Sequence, residues 1–267
     1  MYYLKLYVKF IVAHLQSKME YKFSFFSDIL VQIITYSIHY FNIWILLNKF
    51  GSMQGWSFYE IVFLYNMNLF TYGVSALFVW EPMRELENMV QEGSFDSILT
   101  KPINPFLHLV FRQFRTLYLG HTLLGIIVFY ICLSNLPIHW DIYKAIWFVI
   151  VLAGGVLIQA AVMILGGAVS FWIVKSKAVI DTGIYGLRFF LNYPISIYDI
   201  WVQVILTFII PYAFVNFYPA QYFLSKESTS LFPPILQYGT PLVGVVLFFI
   251  AYKIWSLGVG KYQSTGS

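Results

Sequence analysis

The chain has 267 residues, of which 60% are hydrophobic and 10% charged, with a net charge of +4 and a mean hydropathy of +0.72. A soluble domain of this length carries about a quarter charged residues, so composition excludes a water-soluble fold. With about 20 apolar residues needed per helical crossing, the length suits six membrane spans with short connections, whereas the apolar runs are too long and too weakly alternating for a β-barrel.

Residues 1–22 mix aromatic and aliphatic side chains with Lys5, Lys9, Lys18 and Lys22. This pattern predicts an interfacial elbow helix whose basic side meets anionic lipid headgroups. The lysines are scattered, and no compact apolar run with a small-residue cleavage site follows them, so no cleavable signal peptide is expected and the first span directs insertion. Residues 23–267 read as a single transmembrane domain. Its first span is predicted over about Phe23 to Leu47 and its second over Phe58 to Trp80, separated by a turn at Gly51 to Trp56. Tyr36, Tyr40, Tyr65, Asn66, Asn68 and Tyr72 place hydroxyls and amides on these apolar helices and are candidates to line an amphipathic path. The competing reading of the aromatic residues is lipid-facing belt and packing.

Residues 81–105 are the one long polar interruption and hold five of the twelve acidic residues. Pro82 suits the first helical position, where no amide donor is needed, Glu85 and Glu87 favour the positive end of the helix dipole, and Gly93 ends it. Leu86, Met89 and Val90 fall on one side and Glu85, Asn88 and Glu92 on the other, so the helix is expected to lie along an interface. Ser94 is expected to cap a second turn from Asp96 to Thr100, stopped by Pro102 and Pro105. The competing reading is an ordinary solvated loop.

A third span is predicted from Phe111 to Leu133, then a short connection over Pro137 to Tyr143, then a fourth span from Ala145 to Val174. Gly154, Ala161 and Ala168 lie seven apart in the fourth, giving it a smooth stripe that a neighbour can approach closely. The fifth span is expected over Ile195 to Val215, with a lead-in from Gly183 to Tyr193 and Pro211 in its last turns. Residues 216–234 are too polar and proline-rich to cross, yet aromatic, and read as a partly inserted helical segment. The sixth span runs from Ile235 to Leu257 and is closed by Lys261 and Tyr262.

With both termini cytoplasmic, thirteen lysines and arginines fall inside and only Lys49, Lys144 and Lys226 outside. The positive-inside rule favours that orientation, which puts residues 81–105 in the cytoplasm. Asp28, Glu60, Arg188 and Asp199 lie near expected span ends and read as interfacial anchors. The single Cys132 excludes an intramolecular disulfide and reads as a packed apolar residue.

No phosphate-binding loop is recognisable: Gly258-Val-Gly260-Lys261 lacks the earlier glycine and the following Ser or Thr. Nucleotide energy must therefore come from a partner. His108 and His121, thirteen apart, could share a helix face for haem, but a second such helix is missing; satisfied polar groups are the simpler account. His139-Trp-Asp141 has no nucleophile motif nearby, so catalysis is not expected. Neither a metal nor a cofactor of the chain's own is expected.

Gly93-Ser-Phe-Asp96-Ser-Ile-Leu99-Thr-Lys-Pro102-Ile-Asn-Pro105 resembles the stretch that follows the cytoplasmic helix in bacterial type-2 ATP-binding-cassette exporter permeases of the small six-span branch. Tyr193-Pro194, Ile210-Pro211-Tyr-Ala-Phe214, Tyr218-Pro219-Ala220 and the ending Trp255-Ser-Leu-Gly258-Val-Gly-Lys-Tyr262-Gln-Ser264 are similar to it too. Lys261 stands where such proteins often have arginine. The resemblance implies a permease subunit that moves an amphipathic or hydrophobic substrate, such as a lipid, peptide or drug-like molecule, out of the cytoplasm or inner leaflet of a bacterial plasma membrane. It implies a cytoplasmic ABC ATPase dimer as partner, holding ATP and Mg, and a second permease, identical or related, within membrane lipid; no nucleic acid is expected. ATPase coupling would fall to Pro82, Arg84, Glu85, Leu86, Glu87, Met89, Val90, Glu92, Gly93 and Asp96. An outer gate would fall to Pro211, Phe214, Phe217, Tyr218 and Pro219. The alternative is a non-transporting polytopic receptor, immunity or scaffold protein.

Overall fold

The computed structural model describes residues 2–173, 175–177, 181, 185–226 and 232–263. Five helices among them are long and apolar enough to cross a membrane: Lys22–Phe50, Phe58–Phe78, Thr116–Asn135, Ile142–Phe171 and Thr240–Lys261. A sixth crossing is available only as a bent pair, Ile200–Ile209 with Tyr212–Phe223. The protein is thus an all-α polytopic membrane protein. Val174, Gly183, Ser264 and residues 227–231 of the expected outer segment lie outside the described residues.

The N-terminal helix α1 (Tyr2–Glu20) breaks at Tyr21 before α2 (Lys22–Phe50), the first span. Tyr7 of α1 stacks on Phe111 at 4.2 Å, and burial pushes its phenol up to about 12. Only Ile43 and Leu47 of α2 are buried; Ile34, Ile38, Phe41 and Trp44 point outward, as suits a surface in hydrocarbon rather than water.

The second span, α3 (Phe58–Phe78), is the axis of the molecule, buried along nearly its whole length. Its start is fixed by a capping box in which the Ser57 amide donates to Glu60 at 2.7 Å. Polar side chains on α3 then act as rungs to three neighbours. Asn66 accepts from the Tyr40 hydroxyl of α2 at 2.7 Å and donates to the Gly125 carbonyl of α7 (Leu119–Asn135) at 2.9 Å. Asn68 accepts from Gln159 of α8 (Ile142–Ala168) at 3.0 Å, and Ser75 donates to the Val156 carbonyl at 2.7 Å. Between lipid-embedded helices such bonds join elements that the hydrophobic effect alone does not press together.

The smooth stripe expected on the fourth span is where the last span, α12 (Thr240–Lys261), meets it. Gly154 and Gly244 face each other so closely that a Cβ on Gly244 would lie 2.5 Å from the Gly154 carbonyl oxygen. Ala161 and Ala168 continue the contact against Ala251 and Trp255, all buried in one cluster. The fourth span begins at Ile142, capped by the Asp141 carboxylate on the Lys144 amide at 2.7 Å. The sixth begins at Thr240 rather than Ile235, because Pro233 and Pro234 hold the preceding residues in a 3₁₀ turn, Pro234–Tyr238.

Two further spans differ from expectation. The third does not begin at Phe111, since Asn104 caps a separate amphipathic helix, α6 (Pro105–Arg112), by accepting from the amides of Phe106 and Leu107. The chain extends at Gln113, and the span starts only at Thr116. The fifth is not one helix. After α9 (Tyr185–Arg188) and two 3₁₀ turns come α10 (Ile200–Val204), a π turn to Ile209, and an extended Ile210 ahead of Pro211. The axis bends by 79° before α11 (Phe217–Phe223). Pro211 has no amide to continue the ladder and drives Ile210 out of helical geometry. Side chains take up carbonyls of these irregular stretches: Thr240 donates to Phe214 just after the break at 2.6 Å, and Asn216 to Leu191 in the earlier 3₁₀ turn at 2.7 Å. Irregular backbone at membrane depth is tolerated only when buried and satisfied in this way.

Replacing Gly244 by leucine should force α12 off α8, at a cost of about 1–3 kcal/mol for overpacking. Detergent-solubilised Gly244→Leu should melt several degrees below wild type, while Gly260→Leu, with open space at its Cβ, should not; equal melting of the two variants would contradict this packing.

Candidate functional site

Two regions concentrate polar chemistry. The first is α4 (Trp80–Gln91), which ends where Gly93 adopts a φ of +71° that favours glycine. It is wedged against α3 and α8, burying Trp80, Pro82, Met83, Leu86 and Met89, while Arg84, Asn88 and Glu92 are exposed and Glu85, Val90, Gly93 and Asp96 half-buried. The second turn, α5 (Asp96–Leu99), has Phe95 rather than Ser94 at its N-cap and no side-chain cap, and the Phe95 ring is buried against Phe171 and Tyr262. Burying that aromatic ring, rather than a hydroxyl cap, holds the turn in place.

Within the expected coupling set, Glu87 faces inward. Its carboxylate accepts from the Ser176 hydroxyl at 2.8 Å and from the Lys177 amide, and Lys177 Nζ reaches the Asn88 side chain at 2.7 Å. Arg84 pairs with Asp181 at 3.7 Å, Arg115 with Glu81 at 3.7 Å, and Gln113 donates to Glu85. These contacts bind α4 to the stretch after α8 and to the link between α6 and α7. Burial alone would raise the Glu87 carboxyl, but the Lys177 amide, the Ser176 hydroxyl and the Lys177 charge hold it below the ordinary carboxylate range. Neither Ser176 nor Asn88 stands out in the sequence for this role; a lone serine between two lysines gives no periodic signal.

The second region lies beside the middle of α3. Tyr36 and His39 of α2, Tyr65 and Tyr72 of α3, and Arg188, Phe189 and Asn192 of the broken segment line a cavity of about 210 Å³. Tyr36, Tyr65 and Tyr72 of the expected path are thus brought together, while Tyr40, Asn66 and Asn68 serve as helix-to-helix rungs behind them. Arg188 is not at a span end. Its guanidinium carbon sits 3.3 Å from the centre of the Tyr72 ring and its Nε 3.5 Å from Asn68 Oδ1, level with the centre of α3. The reason it is drawn so deep is that the fifth span is broken, so residues 185–192 enter the bundle as short turns. His121 packs on Tyr36 at 4.0 Å and is almost wholly buried; His108 belongs to α6, so the two histidines do not share a helix face.

The expected gate residues also gather. Pro211, Phe214, Phe217, Tyr218 and Pro219 are all buried at the 79° bend, Phe214 lies 4.8 Å from Tyr218, and the Tyr218 and Thr207 hydroxyls bond at 2.9 Å across it. Pro219 stands in the first turn of α11, where a missing amide donor costs no helical bond.

Because the Glu87 carboxyl is depressed in the folded chain, its stabilisation is complete above the ordinary glutamate range and fades as pH falls through the lower folded value. Glu87→Gln should lower the melting temperature by a few degrees at pH 7, for a loss of about 1–3 kcal/mol. The gap to wild type should narrow on acidification below that range, and a pH-independent gap would refute the assignment.

The family model described as ABC-2 family transporter protein matches residues 14–266. Neither a curated protein nor a solved structure matches the chain. The match takes in every membrane-crossing helix, α4 and the broken fifth segment alike, and the chain belongs to the ABC-2 transporter family as a multi-pass permease subunit of an ABC transporter.

Proposed function

We propose that the protein is the membrane-spanning half of an ATP-driven exporter in a bacterial plasma membrane, with both termini cytoplasmic. It carries an amphipathic or hydrophobic substrate out of the cytoplasm or inner leaflet. A cytoplasmic ABC ATPase dimer, which holds the ATP and Mg, drives it, and a second permease, identical or related, completes the path.

The observation that carries this reading is the build of α4. One face is wedged between α3 and α8, the other leaves Arg84 and Asn88 exposed, and Leu99 at the end of α5 is 39% exposed. A push on such a helix is not absorbed by a flexible loop. It passes directly to α3, and through Glu87 to Ser176 and Lys177, from which the chain leads toward Arg188 and the bend at Pro211. In this scheme nucleotide binding on the ATPase favours one of two arrangements of the broken segment, and hydrolysis releases it. Residues 23–267 then act as one permease domain, with 1–22 as interfacial elbow, 81–105 as coupling segment and 216–234 as the outer segment, whose Phe217, Tyr218 and Pro219 complete the gate with Pro211 and Phe214.

Arg84→Glu combined with Leu99→Glu should cut co-purification of the tagged ATPase about tenfold or more, equivalent to about 1.4 kcal/mol, with membrane insertion unchanged. Undiminished capture would remove α4 and α5 from the docking surface. A cysteine at Ser97 in a Cys132→Ala background should react with an impermeant maleimide only from the cytoplasmic side; labelling from outside would reverse the orientation and defeat the proposal.

A further inference from the structure

A guanidinium at the centre of a membrane bundle calls for an anion, and Arg188 has none among the described residues: the three ion pairs there involve Arg84, Arg115 and Lys226. Its polar neighbours are neutral: the Tyr36 hydroxyl is hydrogen-bonded to it but brings no charge to balance the guanidinium. Asn68 Oδ1 is already taken by Gln159 at 3.0 Å and is 3.5 Å from the arginine Nε, while Tyr72 offers only a ring face. Arginine does not lose its proton to escape such a site, and ionisable groups held at this depth normally face a binding path.

The space beside it has matching chemistry. The cavity of about 210 Å³ has no carboxylate on its walls, which argues against a cationic guest, and the tyrosines and Asn192 supply neutral hydrogen-bonding groups. At about 30 Å³ per water in the liquid, it holds roughly seven waters' worth of volume, enough for a headgroup but not for a peptide or a whole lipid. Beside the cavity, α2 turns Ile34 and Ile38 outward, an apolar surface along which a tail can remain in lipid. Two further buried groups stand unpartnered nearby: the Asn68 amide nitrogen and both ring nitrogens of His121, which packs on the cavity-lining Tyr36.

We infer that this chamber binds the anionic headgroup of an amphiphile, a phosphate or a carboxylate, with Arg188 as its counter-ion and the tyrosine cluster as its walls. The inference rests on the permease reading for its role as a substrate site and narrows the substrate class from amphipathic to anionic. Arg188 offers a planar fork of donors that both oxyanions fit. The surrounding low dielectric strengthens that pairing relative to water.

The test uses the full-length chain in neutral-lipid nanodiscs, without the ATPase, titrated with a short-chain phosphatidic acid, dodecanoate, a short-chain phosphatidylcholine and dodecyltrimethylammonium, read by intrinsic fluorescence. At least one anionic probe should bind wild type ten or more times tighter than the zwitterionic and cationic probes. Arg188→Gln should lose that preference and Arg188→Lys keep part of it; the stronger of the two anionic arms identifies the headgroup as phosphate or carboxylate. Should Arg188→Gln fail to fold, Asn192→Asp decides the matter, because a carboxylate built into the wall would pair with Arg188 and abolish anion binding in a folded protein. Equal binding of all four probes, no binding of either anion, or anion binding unchanged in these variants overturns the inference. ATPase capture is measured separately, so loss of capture with anion selectivity intact defeats the exporter reading alone, and intact capture without selectivity defeats the anionic chamber alone.

Discussion

Once two apolar helices are both in lipid, there is no water left between them to expel, and what holds them together is fit and hydrogen bonding. The contacts between the spans follow from that constraint. The fourth and sixth spans meet where Gly154 and Gly244 remove the side chains that would keep their backbones apart. The second span joins its neighbours through amides and hydroxyls, with Asn66 reaching α2 and α7 and Asn68 and Ser75 reaching α8. The bulky apolar residues of α2, which would make the core of a soluble protein, are instead turned outward.

The same constraint explains how an irregular segment survives inside the bundle. Pro211 ends one helix, and carbonyls of the irregular stretches, Phe214 after it and Leu191 in the earlier turn, are met by Thr240 and Asn216 rather than by solvent. Because residues 185–192 are short turns and not a continuous rod, Arg188 reaches the centre of α3 and a chamber opens beside it. The breaks are therefore what create polar space at a depth where unbroken helices would have left none.

The polar region around α4 obeys different physics. Around α4, water is available, charged groups are affordable in number, and the helix is held by ion pairs and by a buried carboxylate that accepts from Ser176 and Lys177. That arrangement ties one short helix to the ends of the second and fourth spans and to the lead-in of the broken fifth. These contacts seat α4 firmly on the bundle in a chain that belongs to the ABC-2 transporter family.

Composition and periodicity by themselves determined the all-helical membrane class, the first, second and fourth spans, the smooth stripe on α8 and the end of α4 at Gly93, because those depend on side chains a few residues apart on one element. They also made the tyrosines and asparagines of α2 and α3 visible as polar exceptions on apolar helices, without separating those that line a chamber from those that bond behind it. Only the tertiary structure decided that Glu87 turns inward, that Phe95 rather than Ser94 anchors the second turn, and that Arg188 lies at mid-depth. Each depends on a partner about ninety residues or more away: Ser176 for Glu87, Tyr262 for Phe95 and Asn68 for Arg188. Local pattern carries no information on such partners, since a charged residue flanked by apolar ones reads identically whether it ends a helix in the headgroups or enters the bundle through a break.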